Sequence, residues 1–96
     1  MIKDVEIAMV NAATYALGAQ DRNPGASTED VIRHFLQDSS NGMKSEIKIY
    51  AIAAINEILK LKRLRENKSK NNKQLMQMFV NGIPEFLRKI KEGNYD

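Results

Sequence analysis

Ninety-six residues without a cysteine make one small domain with room for three or four elements, and exclude disulfides, thiolate nucleophiles and thiolate metal sites. The 43% hydrophobic and 28% charged content is ordinary for a folded chain, and no apolar run approaches the roughly 20 residues that a membrane-spanning helix needs. A modest net charge of +3 hides a polarity, because residues 44–73 carry nine lysines and arginines against three glutamates, whereas residues 1–43 carry three against six carboxylates. Such asymmetry points to a polyanionic partner. The start, Met1-Ile2-Lys3-Asp4-Val5-Glu6, mixes charge with apolar residues where a secretory signal needs a continuous apolar centre. An intracellular location is expected, nuclear in a eukaryote and cytoplasmic otherwise.

In chain order, Ile2, Val5, Met9, Ala12, Ala13, Ala16 and Leu17 recur at steps of three and four and predict a helix over residues 2–19. Gly18 and the run Asp21-Arg22-Asn23-Pro24-Gly25 predict its stop and a loop. Ser27-Thr28-Glu29-Asp30 supplies a hydroxyl to cap an orphan amide and carboxylates to complement a helix dipole, so a short second helix starts here, with Val31, Ile32, Phe35 and Leu36 as its apolar face. Ser39-Ser40-Asn41-Gly42 reads as a turn. From Met43 to about Leu59 a third helix is predicted, with Ile47, Tyr50, Ala51, Ala54, Ile55 and Ile58 on one stripe and Lys44, Lys48, Asn56 and Lys60 on a four-residue row.

Beyond Leu59 two readings stand. Residues 60–66 and 74–80 can pair as strands around Asn67 to Lys73, with Met76, Met78 and Val80 alternating on one face. Alternatively, residues 59–66 extend the third helix, and Leu75, Met78 and Phe79 share one side of a helix starting near Asn72. Asn81-Gly82 closes either element, and Pro84-Glu85 opens a last helix through Phe86, Leu87 and Ile90, stopped by Gly93 and followed by a short tail.

Helix, loop, short helix led in by Gly25-Ala26-Ser27-Thr28, polar turn, basic helix and basic hairpin candidate together resemble a winged helix-turn-helix domain. Within that superfamily the order is most similar to the globular domain of linker histones, over roughly residues 5–80. The residues that carry the likeness are Val5 to Leu17, Val31-Ile32-Arg33-His34-Phe35-Leu36, and Lys44 to Leu64 with Ile47-Lys48-Ile49 leading to Ile55 and Leu59. The candidate wing departs from the family in containing no glycine. The resemblance implies a mainly α fold, a three-helix winged helix-turn-helix with a small β-hairpin wing over residues 1–80 and an added C-terminal helix over 81–96. The alternative fold is an all-α four-helix bundle.

It also implies a non-catalytic domain that binds duplex DNA or chromatin. Lys44, Lys48, Asn56 and Lys60 would face the duplex from the third helix, and Lys62, Arg63, Arg65, Lys68, Lys70 and Lys73 would lie along the wing. Ammonium groups neutralise phosphates without reading sequence, while the planar guanidiniums of Arg63 and Arg65 offer paired donors. The other functional reading is a protein-interaction or homodimerisation module that uses Met76, Met78, Phe79 and Phe86, because flexible methionines and exposed apolar patches favour association. No cofactor, metal or small-molecule substrate is expected: the single His34 has no second histidine or cysteine to join it, and the carboxylates at 21, 29, 30 and 38 sit at loop and cap positions. Neither a phosphate-binding glycine loop nor a nucleophile with a base partner is recognisable, so the chain does not read as an enzyme.

Overall fold

The computed structural model describes residues 2–93. The tail expected at residues 94–96 lies outside them, as does the side chain of Ile2, expected on the first apolar stripe. Helix α1 (Ile2–Arg22) is followed by α2 (Thr28–Asp38), α3 (Ser45–Arg63), a single 3-10 turn (Arg65–Asn67) and α4 (Asn72–Lys91). No strand occurs among the described residues. The β-hairpin wing is therefore corrected to helix, and the architecture is the all-α, four-helix alternative.

Alanine sets the central contact. Met9, Ala12, Ala13 and Ala16 of α1 and Ala51, Ala54, Ile55, Ile58 and Leu59 of α3 are completely buried. Small side chains let two helices approach closely, and the larger residues fill the space to either side. The two helices run in the same direction, since their C-terminal ends meet through Gln20 with Arg63 and Asp21 with Lys62. Helix α2 closes one side with Val31 and Phe35, and Tyr15 meets Phe35 edge to face at 5.4 Å between ring centroids. Its start is a capping box: the Ser27 hydroxyl accepts from the Asp30 amide at 3.1 Å, and the Asp30 carboxylate accepts from the Ser27 amide at 3.4 Å. The turn after α2 needs a left-handed residue, which Gly42 supplies at φ 82°.

Where a wing was expected, two local signals favour helix. Asn71 caps α4, its side chain accepting from the Gln74 amide at 2.8 Å while the Gln74 side chain accepts from the Asn71 amide at 2.9 Å. Leu75, Phe79, Ile83 and Phe86 then fall at helical spacing and are all buried. Against that stripe the apparent alternation at 76, 78 and 80 carries no weight: Met76 and Met78 are half-buried and Val80 is exposed, so they line no common face.

Asn81-Gly82 and Pro84 were expected to end one element and open another, yet α4 runs through both. A proline inside a helix costs about 3 kcal/mol, whereas burying each large apolar side chain gains about 1.5–3 kcal/mol, so four anchors outweigh one lost hydrogen bond. The expected division at residue 80 accordingly falls inside one helix. Asn72 of α4 bonds Asp21 at 2.6 Å, and the middle of α4 lies beside the first half of α1, so these two helices are antiparallel.

Candidate polyanion-binding surface

Ten residues were expected to face nucleic acid, and the structure divides them. Successive steps of four on an α-helix rotate by about 40°, so Lys44 and Lys60 lie about 160° apart around α3 and about 24 Å apart along it. The four-residue row is therefore a spiral, with exposed Lys44 and half-buried Lys48 at one end, half-buried Asn56 between, and exposed Lys60 at the other. It does not form one basic face.

Lys62 and Arg63 turn inward across the ends of α1 and α2. Lys62 Nζ lies 3.4 Å from the Asp21 carboxylate and donates to the Asn72 side-chain oxygen at 3.4 Å. The Asn72 amide donates to the other Asp21 oxygen at 2.6 Å. That hydrogen bond, with Lys62 and Arg22 nearby, holds the Asp21 carboxyl below the ordinary carboxylate range. Arg63 donates to the Thr28 hydroxyl at 2.5 Å and to the Gln20 side-chain oxygen at 3.3 Å. These two cations hold the helix ends together.

Gln20, only 8% exposed, is the hub of that arrangement. Its amide donates to the Pro24 carbonyl at 2.9 Å, with weaker contacts to the Asn23 and Ala26 carbonyls at 3.4 and 3.3 Å, while its oxygen receives Arg63. One side chain thus satisfies the loop after α1 and orients the end of α3. Sequence reading missed it, because a glutamine in the last turn of a helix carries no local signal of a long-range role.

Five cations are left around the connector from α3 to α4: Lys60, Arg65, Lys68, Lys70 and Lys73. None has a carboxylate within 4 Å among the described residues. Four are exposed and Lys70 is half-buried. Their backbone is fixed. Leu64 leaves the helical region at ψ 135°, the 3-10 turn follows, and Asn67, only 4% exposed, donates its side-chain amide to the Leu61 carbonyl at 2.8 Å. That bond reinforces the long 3.3 Å bond from the Leu64 amide on the same carbonyl in the last turn of α3. The Lys70 amide then donates to the Asn67 carbonyl at 3.0 Å, and the Asn71 cap follows at once.

The connector, whose one carboxylate is the exposed Glu66, leads into the start of α4, where Lys73 is the second helical residue and the first turn contains no acid. The amides of Asn72 and Lys73 have no acceptor within the helix, and the positive end of the dipole projects there. Carboxylates are favoured in a first turn; this one holds a lysine, Lys73. Elsewhere Arg33 pairs with Asp30 at 2.7 Å, and Arg88 is held between Glu85 and Glu92, which pushes its guanidinium further toward the protonated form, whereas Lys3, Arg22, Lys44, Lys48, Lys89 and Lys91 have no carboxylate within 4 Å among the described residues and lie scattered along the helices.

Of the residues expected to bind a partner, Phe79 and Phe86 are buried and meet edge to face with ring centroids 6.2 Å apart. Met76 and Met78 are half-buried against the core. No group of three or more histidines and carboxylates suited to a metal ion occurs among the described residues, and no described helix is long and apolar enough to cross a membrane. No family model, curated protein or solved structure matches the chain.

Proposed function

We propose that this chain is a non-catalytic module that binds duplex nucleic acid through phosphates at the pole formed by the α3–α4 connector and the first turn of α4. The observation that carries the reading is the cluster of five cations without carboxylate partners, set on a backbone held by Asn67 and Asn71, at a helix whose own first turn has no acid and where the neighbouring Asp21 is engaged by Asn72 and Lys62. Each element suits an anion: ammonium and guanidinium groups displace condensed counterions, while first-turn amides and the helix dipole favour negative charge. Arg65 is the guanidinium left for bidentate phosphate contact, since Arg63 is committed to Thr28 and Gln20. Phosphate contacts of this kind position a protein on a duplex without selecting a sequence.

Titration of mixed-sequence duplex by fluorescence anisotropy tests the proposal. With about five phosphates neutralised, the logarithm of affinity falls with the logarithm of salt at a slope near −4.5, so a fourfold rise in salt weakens binding about 500-fold. Replacing Lys68, Lys70 and Lys73 with alanine removes most of the binding and flattens the slope by about three, whereas replacing Lys44 and Lys48 changes little. Failure of the wild-type protein to retain duplex at low salt, or equal loss from the two sets of replacements, would overturn the assignment.

A further inference from the structure

Far from the basic pole, the first half of α1 and the middle of α4 enclose a groove of about 470 Å³. Ile7, Val10, Val80, Ile83 and Pro84 line it, with Lys3 and Glu6 on its α1 side. Two of these residues are apolar yet prominently exposed, Ile7 at 52% and Val80 at 45%. They stand on neighbouring helices beside the same depression, which distinguishes them from the solitary exposed Ile49. Pro84 brings no amide hydrogen to this stretch, so the Val80 carbonyl lacks the donor that a continuous helix would give it.

We propose that this face is where a second copy of the chain docks, around a twofold axis. A twofold contact requires a patch complementary to itself in shape and in charge. For shape, the patch combines two projecting apolar side chains, Ile7 and Val80, with the hollow beside them. Charge is met by Lys3 and Glu6, which stand about one helical turn apart and do not pair with each other within 4 Å. In an antiparallel arrangement the Lys3 of each copy faces the Glu6 of the other. The groove's charged lining is balanced, so it gives no handle to a strongly acidic or basic peptide but does not repel its own copy.

The position of the basic pole supports the same occupant. Pro84 lies about 18 Å along α4 from Asn72, and Ile7 about 21 Å along α1 from Asp21, so two copies meeting at the groove keep their cationic ends apart. This surface differs from the one expected from the methionines and phenylalanines. Phe79 and Phe86 are spent in the core, and the neighbouring exposed row of α4 takes their place.

Sedimentation equilibrium of the full chain from micromolar to several hundred micromolar tests the proposal. Expected is a reversible monomer–dimer equilibrium that Ile7→Asp and Val80→Asp each weaken about tenfold or more. Both side chains are about half exposed, so circular dichroism checks that each variant keeps its helices. Lys3→Glu also weakens the dimer, and Lys3→Glu with Glu6→Lys restores it, a rescue that a merely apolar contact would not show. A wild-type monomer at the highest concentration, or a dimer untouched by both aspartates, would overturn the proposal. Duplex binding by a monomeric protein would leave the basic pole standing while removing this interface.

Discussion

The starts of α2 and α4 are built alike and charged oppositely. Each opens with a capping box, Ser27 with Asp30 and Asn71 with Gln74, so the same backbone groups are satisfied in the same way. In α2 the reciprocal acceptor is a carboxylate followed through Arg33 by an internal ion pair; in α4 it is a neutral amide, flanked by Lys70 and Lys73. The first helix start is electrostatically complete. At the second the capping bonds are made but no carboxylate of the helix's own first turn complements them, which separates what the fold requires from what stays open for the proposed partner.

The largest test of that contrast is to give α4 the charge of α2. Lys70→Glu with Lys73→Glu should lower duplex affinity about a hundredfold or more near 100 mM salt, read by anisotropy, since two attractive phosphate contacts become repulsive. Removing the shared hydrogen bonding instead should treat the two ends alike. Ser27→Ala and Asn71→Ala should each cost about 1 kcal/mol in urea unfolding, because both delete an N-cap acceptor. Lys73→Glu alone should move stability the other way, raising it by about 0.3–1 kcal/mol in the same assay as it complements the dipole. A variant that binds worse and folds better would show that the lysine is not there for the fold.

Acid should discriminate most gently. Bonds from Arg33 and from Ser27 hold the Asp30 carboxyl below its ordinary value in the folded protein. A depressed folded-state pKa contributes stability above the unfolded value, and that contribution is lost as pH falls below about 4 through the folded one. Amide hydrogen exchange at the start of α2 should therefore accelerate over that window, while at the start of α4, with Gln74 in place of a capping carboxylate, any step comes through Asp21 and its bond from Asn72 and should vanish in Asp21→Asn.

Sequence reasoning succeeded where a pattern repeats. The stripes of α1 and α3 and the Ser27 start of α2 were legible because a 3.6-residue period or a capping pair is a local property. Residues 60–80 were ambiguous because Met76, Met78 and Val80 mimic strand alternation inside a segment whose anchors, Leu75, Phe79, Ile83 and Phe86, have helical spacing. Pro84 strengthened the error, since its usual place is a helix start and only tertiary packing lets it sit mid-helix. The basic cluster was visible as composition. Which cations it would leave without partners was not, because Lys62 and Arg63 meet residues 41 and 35 positions away in the chain, and no local signal records Asp21 or Thr28 as their partners.

The anchorage of the connector by Asn67 also bears on how fast the proposed duplex partner would be captured. A basic loop that must fold around its ligand loses chain entropy on contact, and its association includes a slow rearrangement. Here the side chain of Asn67 has already joined the connector to the end of α3. Encounter and final complex should share one backbone conformation, so binding traces should be single-exponential, with rates that rise linearly with duplex concentration and fall steeply with salt.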